Sequence, residues 1–306
     1  MNKLVSIVSP CYNGESYLAR YFDAILAQTY RPLELILVNN GSKDKTNEIV
    51  LAYSDKLKAS NINFKYYIIK ENQGVSFAIN DGLKLTTGEY LIWPDTDDFL
   101  MPESIEKRVR FLEEKPEYGF VTTDGQTYIE GSLEKKGIIK AIVTKNGYLF
   151  DNVISGNIVY TPCGWMLRMS AFLDVNPKKE IFPSRHGQDI QMLLPISYKY
   201  RCGYIPEVLY GRVDRPASLS KQLWKGDDAW RKRILGLEEI YVETLKSIGG
   251  DALAYIPYIY YRDLRILDAT SKKVGAKAHE KQHKILKKST KLLRKEMWKA
   301  MLKNRG

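Results

Sequence analysis

The segment LVSIVSPCYNGESYLARYFDAILAQTYRPLELILVN, residues 4–39, contains the strand–helix–strand pattern on which the fold prediction depends. Residues 4–10 alternate apolar and small side chains, as a strand does, and the mostly apolar residues 33–39 are typical of a buried strand. Between them, residues 17–30 repeat apolar side chains at the spacing of one helical face. The segment therefore predicts the beginning of a parallel sheet that is flanked by helices.

The same alternation continues to about residue 115. Further strands are predicted at residues 64–70 and 89–93, and further helices around residues 49–57, at 75–85 and from Pro102 onward. This order is typical of an α/β protein with a mostly parallel sheet and helices on both of its faces. Ligands of such sheets bind beyond the carboxyl ends of the strands, so polar residues that follow each strand are the candidate site.

Composition and cysteine usage describe an ordinary globular chain. Of its 306 residues, 44% are hydrophobic and 27% are charged. The three cysteines are far apart and lack metal-ligand spacing, which favours a reducing compartment. Residues 1–10 lack the apolar stretch of a cleavable signal, and no apolar run reaches the spanning length of about 18 residues. We therefore expect a cytoplasmic protein.

The net charge of +11 is concentrated in residues 272–306, which carry 11 Lys and 2 Arg against 2 Glu. Residues after about 220 are predicted to be helical, and this last segment has apolar side chains on one face and lysines on another. That pattern is typical of a peripheral helix on an anionic membrane surface. A helix that docks on the body or on a second subunit is the alternative, and nucleic-acid binding is disfavoured because no recognition module precedes it.

An acidic turn follows the fourth predicted strand, in LIWPDTDDFLMP at residues 91–102. Asp95, Asp97 and Asp98 occupy three of four positions, and carboxylates this close repel one another unless a cation lies nearby. In an extended backbone, Asp95 and Asp97 would point to one side and Asp98 to the other. Two such carboxylates suit Mg²⁺ or Mn²⁺, which also binds substrate phosphates, whereas a solvated turn is the alternative.

Several motifs resemble family-two glycosyltransferases in their order and spacing, over roughly residues 3–220. They are SIVSPCYNGESYLARYFDAILAQTYRPLELILVNNGSKDKT (6–46), ENQGVSFAINDGL (71–83), GEYLIWPDTDDFLMP (88–102), CGWMLRMSAF (163–172), HGQDIQMLL (186–194) and YGRVDRPASLS (210–220). The resemblance implies a GT-A-like α/β domain at residues 1–220, with a nucleotide-binding half at about 1–100 and an acceptor half at 101–220. Residues 221–306 would form a helical C-terminal extension that ends in the basic tail.

The resemblance also implies roles for the donor side of the site. Asp97 matches the principal ligand of a Mn²⁺ or Mg²⁺ cofactor, and Asp95 would contact the ribose or the metal. Asp98 would cap the following helix or support the turn. Asp214 stands where the family has a histidine, so it is a candidate metal ligand with a surface ion pair as the alternative. The implied nucleotide-binding residues are Pro10, Tyr12, Asn40, Asn72 and Asp95, and Tyr12 could instead be a half-buried tyrosine of the rim.

Asp189 matches the family's catalytic base, the carboxylate that removes the proton of the acceptor hydroxyl. A helix N-cap is the alternative reading, because an apolar helical run follows it directly, and the two roles can coexist. The candidate acceptor pocket consists of Trp165, His186 and Gln188. For Trp165 the alternative is a buried aromatic of a strand, and for His186 it is an ordinary loop histidine.

Some positions depart from the family pattern. Asn40 replaces an acid that accepts a hydrogen bond from the uracil ring, and an amide can both donate and accept, so the base of the donor stays open. Ile79 and Pro195 replace two arginines. The resulting prediction is an inverting hexosyl- or N-acetylhexosaminyltransferase that uses a nucleoside-diphosphate sugar and a glycan or lipid-linked acceptor in surface polysaccharide or glycoconjugate synthesis. The alternatives are a nucleotidyltransferase and a non-catalytic nucleotide-sugar-binding protein.

Overall fold

The computed structural model describes residues 2–185, 187–216 and 229–274. The chain forms two compact units, Met1–Pro216 and Ala217–Gly306. The first unit contains the sheet and the residues of the candidate site. Of the second unit, the structure describes two helices and the short connection between them.

The first half of the sheet is parallel. Its strands are β1 (Val5–Cys11), β2 (Leu33–Asn40), β3 (Ile62–Ile69) and β4 (Tyr90–Ile92). Helices α1 (Leu18–Leu26), α2 (Thr46–Ala59) and α3 (Val75–Lys84) connect them in chain order. In the register of the sheet, β1 lies between β2 and β4, and β3 pairs with β2. This order confirms the predicted alternation of strands and helices.

The pattern of apolar residues explains these elements. Every residue of β1 and β2 is buried, as expected for strands that helices cover on both faces. Helix α1 buries Leu18, Tyr21, Phe22 and Ile25, which recur at the spacing of one helical face. Truncation of Phe22 to alanine would cost about 3–5 kcal/mol, because its side chain is completely buried in the core.

The second half of the unit makes the sheet mixed. Its elements are β5 (Phe99–Leu100), α4 (Ser104–Glu114), β6 (Tyr118–Ile129), β7 (Lys135–Ile139), α5 (Phe150–Ile154), β8 (Trp165–Arg168), α6 (Met169–Val175), α7 (Gln188–Lys199) and β9 (Arg201–Asp214). Across the sheet the strands follow the order β3-β2-β1-β4-β8-β6-β9-β5, and β7 pairs with β6. Strand β8 is antiparallel to both of its neighbours, whereas β6 and β9 are parallel. The predicted α/β class is confirmed. The sheet is parallel in its first half and mixed as a whole, with four parallel and four antiparallel pairings among the described strands.

The second unit is helical in the part that the structure describes. Helix α8 (Ala229–Ile248) is followed by a short 3₁₀ segment and by α9 (Ile256–Val274). Inside this pair the Arg262 guanidinium binds both carboxylate oxygens of Asp263 and lies 4.2 Å from the ring centroid of Tyr241. None of the helices in the described ranges has an apolar stretch long enough to span a bilayer. Residues 275–306, most of the predicted basic tail, lie outside these ranges.

Candidate active site

The acidic residues lie in a turn at the carboxyl end of β4. The Asp98 amide donates to the Asp95 carbonyl oxygen across 3.2 Å, so residues 95–98 are not extended. The alternation of side chains considered for an extended backbone therefore does not apply to this turn. The turn gathers all three carboxylates, with one oxygen of each within 4.8 Å of the others. Asp95 and Asp97 are partly exposed, whereas Asp98 is buried.

Two neighbouring strands hold the turn in place. The Thr96 hydroxyl donates to the Pro10 carbonyl oxygen at 3.3 Å, which connects the turn to the end of β1. The Asp98 carboxylate accepts a hydrogen bond of 2.9 Å from the Val213 amide of β9. Asp98 therefore supports the turn. Helix α4 begins after Glu103, so the alternative that Asp98 caps that helix is wrong.

Two arginines approach the turn from outside. The Arg20 guanidinium donates to the Asp97 carbonyl oxygen at 2.7 Å, and Arg215 forms an ion pair with the Asp97 carboxylate. Each arginine also lies on an aromatic ring, Arg20 at 5.8 Å from the Phe99 centroid and Arg215 at 4.7 Å from that of Tyr17. These contacts supply part of the positive charge that the acidic cluster requires.

The electrostatics of the turn favour a bound cation. Burial raises the pKa of the Asp95 carboxyl well above its ordinary value, and the nearby Asp97 and Asp189 charges raise it further. Burial and Asp97 likewise raise the pKa of Asp98, while the hydrogen bond from Val213 opposes this shift. A divalent cation would reverse the repulsion, and the gathered donors are the hard oxygens that Mg²⁺ and Mn²⁺ prefer. The residues present therefore fit such an ion.

Asp189 lies in the first turn of α7. The residue that caps this helix is Gly187, which has a positive φ of 74°, so the alternative that Asp189 is the N-cap is wrong. The Trp93 indole N–H donates to the Asp189 carboxylate in a long hydrogen bond of 3.5 Å. Burial raises the pKa of Asp189 to about 7, and the bond from Trp93 works against that rise. A carboxyl group that titrates near neutral pH has the property that a general base needs.

The residues predicted for the nucleotide end lie where β1 and β2 finish. Pro10 is buried in β1, and Tyr12, directly after that strand, is 43% exposed and so available for stacking. Asn40 is only 3% exposed. Its amide donates to the Asn72 side chain and to the Gly74 carbonyl oxygen, both at 3.1 Å, and its own oxygen accepts from the amide of residue 73.

A glycine allows the end of β2 to lie against the loop that contains Asn72. Gly41 has a φ of +75°, and a Cβ at this position would lie 2.7 Å from the Asn72 amide nitrogen. The side chain of Asn40 therefore organises residues 72–74, and both of its N–H donors are already used. What Asn40 can still offer a nucleobase is acceptor capacity on its oxygen.

The remaining residues predicted for the site are one metal ligand, Asp214, and the three residues of the acceptor pocket. Trp165 is 2% exposed and lies 6.0 Å from Phe120 between ring centroids, which agrees with the alternative of a buried strand aromatic. The Asp214 carboxylate pairs with Lys136 at 2.5 Å, and among the described residues the metal-type cluster is formed by Asp95, Asp97 and Asp98 without it. Gln188 begins α7 and is partly buried, while His186 lies outside the described residues.

Three side chains of the site were not predicted from the sequence. They are Arg20, Trp93 and Arg215. Trp93 lies two residues before Asp95, at the end of the strand, and this proximity was an available signal. The two arginines lie far from the acidic turn in the chain, so their contacts with it depend on the completed fold.

Comparison with known proteins agrees with this geometry. Residues 6–175 match the family model described as "Glycosyl transferase family 2", which is more than half of the chain. The chain belongs to glycosyltransferase family 2.

Relatives of this family-2 chain include an uncharacterized glycosyltransferase of Rickettsia typhi, which is 45% identical over 109 residues, 36% of this chain and 32% of the relative. The glycosyltransferase GlyA of Streptococcus pneumoniae serotype 4 is 27% identical over 254 residues, 82% of this chain and 34% of the relative. The chain thus spans about a third of the length of these curated relatives.

Solved structures support the GT-A-like α/β fold of this family-2 chain. Residues 1–349 of S. aureus TarS, in complex with UDP-GlcNAc, match with a TM-score of 0.58 and 18% identity over 87% of this chain and 89% of that one. The mannosyltransferase PcManGT of Pyrobaculum calidifontis, in complex with GDP-Man and Mn²⁺, matches with a TM-score of 0.55 and 17% identity. That match covers 98% of this chain and 84% of the other.

Proposed function

We propose that this family-2 glycosyltransferase is an inverting enzyme that transfers a hexosyl or N-acetylhexosaminyl group from a nucleoside-diphosphate sugar to an acceptor hydroxyl. The observation that carries the proposal is the position of Asp189. Its carboxyl group has a pKa raised to about 7 and is hydrogen-bonded to Trp93, two residues before the acidic turn. The candidate catalytic base and the candidate diphosphate site thus both lie next to the carboxyl end of β4.

At the donor end, Asp97 and Asp95 would hold Mn²⁺ or Mg²⁺. The bound ion would stabilise the negative charge of the departing diphosphate. Tyr12 offers an exposed ring for the base at the end of β1, and the loop that Asn40 organises would form the opposite wall. The complexes of TarS with UDP-GlcNAc and of PcManGT with GDP-Man support a nucleotide-sugar donor, but they contain different bases. The nucleobase of the donor therefore requires a direct test.

At the acceptor end, the Asp189 carboxylate would take the proton of the attacking hydroxyl. The acceptor oxygen then bonds to the anomeric carbon as the bond from that carbon to the diphosphate breaks. A single displacement of this kind inverts the anomeric configuration. A well-positioned base contributes about 10²–10⁴ to the rate. For the acceptor, we propose a glycan or lipid-linked saccharide of surface polysaccharide or glycoconjugate synthesis, by analogy with the family.

A donor screen tests this proposal. Thermal-shift measurements with nucleoside diphosphates and Mn²⁺ identify the base, and hydrolysis of the matching nucleotide sugars then identifies the sugar. We expect one base to stabilise the protein in a Mn²⁺-dependent manner and its sugar conjugate to be hydrolysed slowly. The stereochemistry of the product, followed by NMR with an accepted saccharide, tests inversion. Stabilisation by no nucleoside diphosphate, with or without metal, would contradict the proposal.

We also propose that residues 272–306 bind an anionic membrane surface. They hold the whole net charge of +11, while the rest of the chain has 34 basic and 34 acidic residues, because the chain totals are 47 and 36. Each lysine near an anionic bilayer contributes about 1 kcal/mol, attenuated by salt. Full-length protein should sediment with anionic vesicles at low salt and be released as salt rises, whereas protein ending at Ser271 should not sediment. Equal sedimentation of both forms would contradict a role for the tail.

A further inference from the structure

Arg215 directly follows β9 and forms an ion pair with the Asp97 carboxylate. We propose that Arg215 is a positioning residue that neutralises Asp97 in the metal-free protein and moves to the donor diphosphate when cation and donor bind together. The inference rests on the proposed function, because it assumes that Asp97 holds the divalent cation. Arg215 would then connect the metal site to the phosphate site.

The aromatic contact of Arg215 does not depend on Asp97. Its guanidinium carbon lies 4.7 Å from the ring centroid of Tyr17, which is 8% exposed, so the ring is fixed in the protein. The Tyr17 hydroxyl donates to the Tyr12 carbonyl oxygen at 3.1 Å, which connects this ring to the proposed nucleotide end. A cation–π contact tolerates small movements of the cation over the ring. Arg215 can therefore exchange one anionic partner for another and keep its support.

The guanidinium of Arg215 also has donors to spare. It binds Asp97 through Nη2, and its Nε is buried with no hydrogen-bond partner among the described residues. A guanidinium presents five N–H donors in a planar fork that matches a phosphate group. A buried donor without an acceptor is unfavourable, so an arriving diphosphate oxygen would satisfy a group that the free protein leaves unsatisfied.

Competition between the divalent cation and Arg215 for Asp97 determines when Arg215 moves. A guanidinium and a divalent cation repel each other, so a cation that arrives alone must displace Arg215 from Asp97. When the donor arrives as well, its diphosphate offers the displaced guanidinium a new anionic partner. Cation and nucleoside diphosphate should therefore strengthen each other's binding. Arg20 differs in this respect, because its hydrogen bond goes to the carbonyl oxygen of Asp97, whereas that of Arg215 goes to the carboxylate.

The experiment measures Mn²⁺ binding by electron paramagnetic resonance of the free ion, in the full-length protein and without catalysis. We compare wild type, Arg215→Gln, Arg215→Lys and Lys107→Gln at low ionic strength, alone and with the nucleoside diphosphate that the donor screen selects. Lys107→Gln is the charge-matched control, because Lys107 pairs with Glu103 and Glu207 rather than with the acidic turn. Melting temperatures measured with EDTA establish that each variant is folded.

We expect Arg215→Gln to bind Mn²⁺ alone about tenfold more tightly than wild type, because its competitor for Asp97 is gone. With the nucleotide present, the strengthening of Mn²⁺ binding should fall by about tenfold or more, which lies within the usual range of such couplings. Arg215→Lys should fall between the two, since it keeps the charge but loses the fork. Unchanged or weaker Mn²⁺ binding by Arg215→Gln, or unchanged coupling, would overturn the inference. Absence of any nucleotide effect in wild type would instead contradict the proposed function.

Discussion

The indole Nε1 of Trp93 lies 3.5 Å from Oδ1 of Asp189, although 96 residues separate them in the chain. Trp93 follows the strand that leads into the acidic turn, and Asp189 lies in the first turn of α7, in the proposed acceptor half. The contact therefore joins the proposed base to the proposed donor site. Trp93 is 1% exposed, so its ring is held by the core and can orient the carboxylate.

The first prediction concerns Asp189→Asn. The amide keeps the shape of the side chain but cannot accept the proton of the acceptor hydroxyl. We expect donor affinity, measured by calorimetry, to stay within a few fold, and turnover to fall by at least about 10². Asp174→Asn is a control, because Asp174 pairs with Lys199 away from the site. If Asp189→Asn lost donor binding as well, Asp189 would have a structural or metal-binding role.

The second prediction is a pH dependence of stability. The pKa of Asp189 is about 7 in the folded protein against an ordinary value of 3.8, so the folded state binds the proton more tightly. This carboxyl stabilises the fold most at low pH, and that contribution is lost as pH rises from about 4 to 7. Denaturation with urea should therefore show a smaller loss of stability between pH 5 and pH 8 in Asp189→Asn than in wild type. The difference should be at most about 3 kcal/mol, and equal losses would contradict the raised pKa.

The third prediction concerns Trp93→Phe. The phenylalanine ring fills much of the same space but lacks the N–H that lowers the pKa of Asp189. The pKa of the base should rise, so the acid limb of kcat/KM should move to higher pH. Trp165→Phe is a matched control, since Trp165 is equally buried but packs against Phe120. If the acid limb of the kcat/KM profile moved equally in both variants, the shift would reflect a general effect on packing and not the loss of the Trp93 N–H.

The sequence predicts the elements of the fold well because periodicity reflects burial. The strand predicted at residues 33–39 is Leu33–Asn40 in the structure, and the helix predicted at 75–85 is Val75–Lys84. The acidic cluster is likewise predictable, because its three carboxylates are adjacent in the chain. The geometry of this cluster cannot be predicted in the same way, because the amide of Val213, 115 positions further along the chain, holds the side chain of Asp98. An isolated stretch of residues 95–98 carries no information about that partner.

The contact between Arg215 and Asp97, the candidate metal ligand, is likewise not predictable from the sequence. Arg215 reaches Asp97 from 118 positions away, and it does so only because β9 ends beside the acidic turn. The sequence gives no periodic signal for such a contact. The sequence also does not show that Asn40 binds the loop at residues 72–74, because a polar residue after a strand can contact either a ligand or a neighbouring loop.

The fourth prediction is that Asp97→Ala abolishes Mn²⁺-dependent binding of the nucleoside diphosphate. The variant removes the partly exposed carboxylate that we propose as the principal metal ligand. Calorimetry with and without Mn²⁺ measures the effect directly. Asp174→Ala again serves as a control for the loss of one acidic residue elsewhere. If Mn²⁺-dependent binding persisted unchanged in Asp97→Ala, the metal site would have to be assigned to other residues.

The last prediction concerns Asn40→Asp, which introduces the acid that the family commonly has at this position. In this protein the Asn40 amide donates to the Asn72 side chain and to the Gly74 carbonyl oxygen. A carboxylate would face these two acceptors without a proton to donate. Rotation of the Asn72 amide would relieve one contact but would break the hydrogen bond that its oxygen accepts from the Gly74 amide. The Gly74 carbonyl oxygen would keep the Ala78 amide as a donor, but it would face a buried carboxylate oxygen in place of the Asn40 amide. We therefore expect a loss of about 1–3 kcal/mol in the free energy of unfolding.

Asn39→Asp is the matched control for this prediction. Asn39 is similarly buried, but its amide donates to the Tyr66 hydroxyl. This hydroxyl can leave its exposed acceptor, the Asn47 side chain, and donate to a carboxylate at position 39 instead. Its oxygen accepts from the Ser42 amide, and an aspartate oxygen can do the same. Urea denaturation at pH 7 should therefore show a smaller loss for Asn39→Asp than for Asn40→Asp. An Asn40→Asp variant as stable as wild type would mean that the loop at residues 72–74 adapts to the acid, and uracil recognition by residue 40 could then be tested in that variant.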